Sequence, residues 1–378
     1  MYAYLDYNAT TPVAEEVKEA MMPWFSEKFW NASSAHYGGR AAIDAVENAR
    51  QQIADLIGAN PTEIVFTSGS TESINLALKG TFSASKPRGS FLTSQVEHKA
   101  VLDTTTVLSN QGIDCHLLPV NELGEVQMEQ LSNFEKDKPA LVSFMAANNE
   151  TGVITDLENL VEHFKENGAL FHCDATQAVG KINFSVEHLN IDMASISGHK
   201  IYGPKGVGAL YCRRGVTLDS LIDGGGHEKG LRSGTLNVPG IVGFGMAAEL
   251  ASKLFYEDSE LFLKLREELL AGLRAELNDT EVIAEDSLRL PNTLNIRFIG
   301  ADAEAIMANA PSIMVSSGSA CTALIPEASH VLVAMGMTQE EASECLRFSV
   351  GRHTTLEEIG HAVAEISAAV NRVRELNI

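Results

Sequence analysis

Between residues 63 and 211, short apolar runs alternate with stretches of helical periodicity, and few folds accommodate that alternation. The runs cover residues 63–67, 90–94, 140–145, 169–173 and 192–197. They are too short for helices and apolar at nearly every position, as strands buried on both faces are. Amphipathic segments lie between them, at residues 98–109 and again around Leu157, Leu160, Val161 and Phe164, where Thr155 and Glu158 predict a capping box. A strand–helix alternation of this kind predicts an α/β domain with a largely parallel sheet.

On either side the pattern changes. Residues 1–37 show no period and read as irregular, with a turn at Thr10-Thr11-Pro12. Residues 38–57 read as a helix (Ile43, Val46, Ile53, Leu56) stopped by Gly58. Beyond about residue 250, Leu261, Leu265, Leu269 and Leu273 mark a long amphipathic helix. A strand at 292–298, a Gly/Ser-rich loop at 316–322 and a strand at 345–350 follow. A last helix opens on a Thr355–Glu358 box and carries Ile359, Val363, Ile366, Val370 and Val373 inward. These elements predict a second, smaller α+β domain.

Composition excludes several classes of function. With 28 Lys and Arg against 50 Asp and Glu, the formal charge is −22, which argues against general binding to a phosphate backbone. No uncharged apolar run reaches membrane-spanning length, and residues 1–16 lack the basic start and apolar core of a signal peptide. Five scattered cysteines and no CxxC or HExxH pattern suit a reducing cytoplasm and disfavour zinc. Cys115, Cys173, Cys212 and Cys345 sit in apolar surroundings. Cys321 instead lies in Ser316-Ser317-Gly318-Ser319-Ala320-Cys321-Thr322, a setting for a nucleophile rather than a packing residue.

Polar residues fall at the ends of the expected strands, where open α/β sheets bind ligands. Lys200 follows the run at 192–197 and is flanked by Ser197 and His199. A lysine fixed there suits Schiff-base chemistry, although a solvated loop lysine has the same local sequence. Ser70 and Thr71, between a strand and a helix, are placed either to hold a phosphate or simply to cap the helix. Asp174 reads as a turn former or as the partner of a pyridine nitrogen, with Gln177 three residues on. His98 reads as a helix cap or as a ring that stacks on a cofactor.

Seven segments together resemble the cysteine desulfurases of the NifS/IscS type, in the class V branch of the fold-type I enzymes dependent on pyridoxal 5'-phosphate. They are TSGSTES (67–73), EHKAV (97–101), NNETGV (148–153), HCDATQ (172–177), SGHKIYGPKG (197–206), GGGHEKGLRSGT (224–235) and SSGSACT (316–322). The likeness extends from the LDYNATT segment (5–11) to Arg352. It implies a large cofactor-binding domain over 16–250 with a mostly parallel seven-stranded sheet. The small domain, 1–15 and 251–378, would carry the cysteine loop.

The resemblance also implies roles. Lys200 would form the Schiff base with pyridoxal phosphate and move the substrate's α-proton. Asp174 would pair with the ring nitrogen, His98 would stack on the ring, and Gln177 would reach the phenolic oxygen. Ser70, Thr71, Ser197 and His199 would hold the phosphate, joined by Thr235 from a partner subunit, which implies a homodimer. Asn149 would lie beside ring and substrate, and Arg347 would clamp the substrate carboxylate. Asn31 and His36 match a substrate-side motif, here NASSAH, from which a usual proline is missing. Cys321 would take sulfur from L-cysteine as a persulfide and pass it to an acceptor protein, with alanine released. Housekeeping relatives have a longer C-terminal tail, which implies dedicated rather than general sulfur delivery.

Other activities compete on the same fold. An aminotransferase has no use for Cys321, whereas a selenocysteine lyase would use the same pocket. A cofactor-holding scaffold that recruits other proteins would not need Lys200, Asp174 and Cys321, and all three are present.

Overall fold

The computed structural model describes residues 1–85, 89–133, 138–317 and 328–376. Seven strands form its main sheet: β1 (Ile64–Thr67), β2 (Phe91–Ser94), β3 (Cys115–Leu118), β4 (Leu141–Met145), β5 (Leu170–Asp174), β6 (Met193–Ser197) and β7 (Gly208–Cys212). Their order across the sheet is β3-β2-β4-β5-β6-β7-β1. All neighbours are parallel except β7, which runs antiparallel to both β6 and β1.

Successive residues of each strand point to opposite faces, and both faces are covered. Phe66, Leu92, Val142, Ala194 and Ala209 join one core with the helices Tyr37–Ile57, Leu157–Glu166 and Val238–Lys253. Their neighbours Val65, Phe91, Leu141, Met193 and Leu210 join another, under the helices Ser70–Ser85 and Lys99–Asn110. This two-sided burial is why the strands are mostly apolar, without a polar face. The exception is β3, which lies at the sheet edge and buries only Leu118. Its mixed sequence gave no strand signal.

A separate core gathers Phe262, Leu265, Leu269 and Leu273 of the helix Phe255–Glu276 with Ile359, Ile366 and Val370 of the helix Leu356–Leu376. They cover a three-stranded antiparallel sheet, in which Thr293–Phe298 lies between Cys345–Ser349 and Thr280–Val282. Ala3 and Leu5 belong to this core, while Tyr7 and Ala14 belong to the first. The chain therefore passes from one core to the other within residues 5–7.

Two local expectations are corrected. Residues 1–37 are not wholly irregular, since Glu15–Met21 and Pro23–Ser26 are helical. The first buries only Val17 and the second nothing, so neither has an apolar period to read. The box at 155–158 is also displaced by one residue. Thr155 is still extended, with its N–H bonded to Ala146 O, and Asp156 caps the helix by accepting from Asn159 N. The second box forms as expected, with Thr355 N donating to Glu358 Oε2 at 2.7 Å and Glu358 N donating to Thr355 Oγ1 at 3.1 Å. No single helix among the described residues is long and apolar enough to cross a membrane.

Candidate active site

At the C-terminal ends of the parallel strands lies a cavity of about 300 Å³, lined in part by Ser70, Thr71, His98, Asn149, Asp174, Gln177, His199, Lys200 and Arg347. Residues expected from widely separated segments thus meet in one place. Most arrive by a strand end, whereas Arg347 projects from the middle of Cys345–Ser349. Thr67 leads through Ser68 and Gly69 into the helix that starts at Ser70, Asp174 ends β5, and β6 runs into the turn Gly198–Lys200.

The Lys200 amine is held by two carbonyls, Asn8 O at 2.5 Å and Ala9 O at 2.8 Å. Both belong to the N-terminal segment, which crosses the site after leaving the smaller core. Thr11 fastens that crossing, accepting from Tyr202 N at 2.9 Å and donating from Oγ1 to His199 O at 3.0 Å.

Asp174 satisfies both readings of its position. Its Oδ1 accepts from Thr176 N at 3.0 Å, as a turn former does, and the residue still lines the cavity. His98 caps its helix through Nδ1, which accepts from Ala100 N at 3.1 Å. The neutral ring therefore carries its proton on Nε2. Burial pushes the His98 pKa down, with Lys200 adding to the effect and Asp174 opposing it. His199, bonded through Nδ1 to Thr10 Oγ1 at 3.1 Å, is pulled to about 4 by burial and then by Lys200. Both imidazoles are neutral at physiological pH.

Ser70 and Thr71 open the helix Ser70–Ser85, while other side chains tie its first turn. Thr67 Oγ1 meets Ser73 Oγ at 2.8 Å, and Ser68 N donates to Glu72 Oε2 at 2.9 Å. Hydroxyls at a helix N-terminus beside Lys200 fit a phosphate group. Arg347, buried, donates from Nη2 to Asp6 Oδ1 at 2.6 Å and from Nη1 to Asn149 O at 3.0 Å. Its Nε has no partner among the described residues, an unmet donor that suits a ligand carboxylate. Although the chain is strongly acidic, the cavity holds the cations Lys200 and Arg347 against Asp174. That balance attracts an anionic ligand.

Other expected residues lie elsewhere. Ser197 is buried at the end of β6 without lining the cavity. Asn31, His36 and Thr235 are exposed and do not line it. Their segments nonetheless touch, since Ser33 Oγ and His227 Nε2 are 3.1 Å apart. Cys321 lies outside the described residues, but the chain before it reaches the cavity wall, where Ser316 exchanges backbone hydrogen bonds with Arg347. The chain after it is tied next to the wall residue Asn149, with Ser329 donating from Oγ to Glu150 Oε2 at 2.5 Å. The other four cysteines lie in strands. Burial raises Cys115 to about 11, Cys212 and Cys345 to about 12, and Cys173 well above the usual range. None is a thiolate at neutral pH.

The class V aminotransferase model matches residues 3–361. A cysteine desulfurase IscS from Anaeromyxobacter sp. (strain Fw109-5) is 48% identical over 378 residues, covering 99% of this chain and 94% of that protein. The chain belongs to the NifS/IscS-type cysteine desulfurases of the class V aminotransferase family. Enzymes of this family work with pyridoxal phosphate. A solved NifS-like protein matches with a TM-score of 0.92 and 39% identity, over 98% of this chain and 100% of its own. SspA, solved in complex with cysteine, matches with a TM-score of 0.80 and 37% identity, over 93% of this chain and 100% of its own.

Within this desulfurase site, sequence reasoning assigned no role to Asn8, Asp6 or Lys181. Asn8 is 1% exposed and its side chain bonds Asn149 O, Thr293 Oγ1, Asn292 Nδ2 and Lys181 Nζ. It ties both cores to the cavity wall. Its segment was visible as LDYNATT, but nothing in that string shows which residues it crosses.

Proposed function

We infer that this protein is a pyridoxal-phosphate-dependent cysteine desulfurase that takes sulfur from L-cysteine onto Cys321, releases L-alanine and passes the sulfur to an acceptor protein. The observation that carries this reading is the convergence of Lys200, Asp174, His98 and Arg347 on one cavity beside a helix N-terminus. The donor set fits the cofactor: an amine, a buried carboxylate, a neutral ring and hydroxyls at a helix N-terminus. When bound, pyridoxal phosphate supplies an electron sink for the α-carbon of an amino acid.

The chain's residues then divide the work. Lys200 would hold the cofactor and serve as the base for the substrate's α-proton. Asp174 would keep the ring nitrogen charged, His98 would border the ring, and Gln177 would serve the phenolic oxygen. Ser70, Thr71, Ser197 and His199 serve the phosphate. Arg347 binds the substrate carboxylate through donors that Asp6 and Asn149 leave open, and Asn149 borders the substrate. The Cys321 thiolate attacks the substrate sulfur. A sulfur–sulfur bond forms, the carbon–sulfur bond breaks, and its electrons remain with the carbon skeleton that becomes alanine.

Two properties belong to the same reading. Asn31 and Thr235 serve the site of a second copy, which accounts for their exposure and for the contact between their segments. The enzyme acts as a soluble cytoplasmic homodimer, with substrate and acceptor protein as its partners.

Brief exposure to L-cysteine followed by mass spectrometry of peptides tests the assignment. Added sulfur should appear on Cys321 first. Cys321→Ser should bind cofactor and substrate yet release almost no alanine, because a hydroxyl cannot hold a persulfide. Sulfur first on Cys115, Cys173, Cys212 or Cys345, or full activity in the serine variant, would refute it.

A further inference from the structure

Lys181 is 7% exposed, and its side-chain hydrogen bonds among the described residues include none to a carboxylate. Its Nζ instead donates to two amide oxygens, Gln177 Oε1 at 2.6 Å and Asn8 Oδ1 at 3.1 Å. Gln177, 5% exposed, lines the cavity, and its Nε2 donates to Asn8 O at 3.0 Å. The glutamine is thus held from both ends, its oxygen by an amine and its nitrogen by a carbonyl, an arrangement that fixes which edge of the amide is which. Nε2 carries a second hydrogen beyond the one given to Asn8 O. Lys181 itself lines a small adjoining cleft that it shares with Lys200 and the Asp258–Arg352 ion pair. Burial, then the charges of Lys200 and Arg347, hold its pKa well below that of an ordinary lysine. An amine buried without a counter-ion is unfavourable unless its hydrogens find acceptors. Here the acceptors are side chains of the site.

We propose that Lys181 is a positioning residue that locks the Gln177 amide with its N–H edge toward the cavity, so that Gln177 donates to the bound cofactor's phenolic oxygen. This rests on the reading that the cavity holds pyridoxal phosphate. Without Lys181, Gln177 is gripped from the nitrogen side only and loses its fixed orientation. A weaker donor at the phenolic oxygen favours the protonated form of the lysine-bound cofactor.

The test is a pH titration of the visible absorption of the cofactor-loaded protein, for the parent, Lys181→Met, Gln177→Leu and the double variant. Lys181→Met should raise the titration midpoint by about one pH unit, the size of one lost hydrogen bond to a charged group. In the Gln177→Leu background the same substitution should shift nothing further. Lys181→Gln, which keeps a donor but no charge, should stay near the parent midpoint. If Lys181→Met does not fold, Lys181→Ala replaces it in the same cycle. An unchanged midpoint in the single variant would overturn the proposal. So would an equal shift with and without Gln177, which would mean that the lysine acts through its charge. A parent that takes up no pyridoxal phosphate would overturn the cofactor reading and this proposal with it.

Discussion

His172 lies inside the sheet on β5, fully buried, with Nδ1 2.8 Å from Ser143 Oγ on β4 and Nε2 2.8 Å from Ser195 Oγ on β6. Burial lowers its pKa to about 4, with Asp174 opposing the shift. In the unfolded chain it titrates near 6.5, so between these values the unfolded state binds more protons than the folded one. The stabilisation is complete above pH 6.5 and is lost as pH falls toward 4, by roughly 3 kcal/mol from this residue. His199 adds to the trend in the same direction. Urea unfolding from pH 7 to pH 4 should show this decline, and His172→Gln should flatten it while lowering stability at pH 7. A second residue-scale prediction concerns Lys200→Ala, which removes the amine held by Asn8 O and Ala9 O. It should abolish the visible absorption of bound cofactor and all alanine formation, while circular dichroism stays that of the parent. Turnover of L-cysteine at the parent rate would remove Lys200 from the mechanism.

At the scale of elements, the turn after β1 depends on how closely two strands approach. A Cβ added to Gly208, the first residue of β7, would meet Gly69 Cα and Ile196 O, each at 2.6 Å. All of these are backbone atoms, so Gly208→Ala has to push β1 and its turn away from the sheet. Ser70 and Thr71 move with that turn. The variant should retain pyridoxal phosphate at least about tenfold less tightly, a loss of one hydrogen-bond equivalent or more, as measured by dialysis against apoprotein. A parent-like affinity would show that the turn tolerates displacement. The main elements were readable because burial on both faces writes itself into the sequence. β4, β5 and β6 are buried almost end to end and mostly apolar, the buried polar residues Ser143, His172 and Ser195 satisfying one another, and the leucines of Phe255–Glu276 recur at helical spacing. What escaped was structure without burial on a regular period, namely β3 at the sheet edge and the helix Glu15–Met21. The same limit holds at the site. Lys200, Asp174 and His98 stand at strand and helix ends and carry chemistry in their residue type. Asn8 and Lys181 act through contacts made across long separations in sequence, which no local pattern encodes.

At the scale of the whole molecule, the distribution of the expected site residues raises the question of what completes the cavity. Thr235 and Asn31 are exposed, their segments touch through Ser33 and His227, and Leu221, Ile222, Phe25, Phe29 and Tyr37 expose apolar surface nearby in sequence. The loop that carries Thr235 is nonetheless firmly anchored. Glu228 takes both Arg50 Nη1 and Nη2 at 2.8 Å in a buried bidentate pair and accepts from Phe66 N at 2.7 Å. Glu228 and Lys229 hold left-handed backbone, with φ of 48° and 59°, a conformation that non-glycine residues keep only where their surroundings impose it. Anchoring and exposure together suit a loop presented to another copy of the chain. In a two-fold dimer each Thr235 would then serve the opposite cavity. Thr235→Asp, which sets a negative charge against the phosphate, and Lys200→Ala should each inactivate their homodimer. Mixed and allowed to exchange, half of the dimers become heterodimers, and each of these holds one cavity free of both lesions. About a quarter of the parent's alanine production should return, as random pairing across a two-fold axis requires. Heterodimers shown by native mass spectrometry to be present yet inactive would place Thr235 outside any shared site.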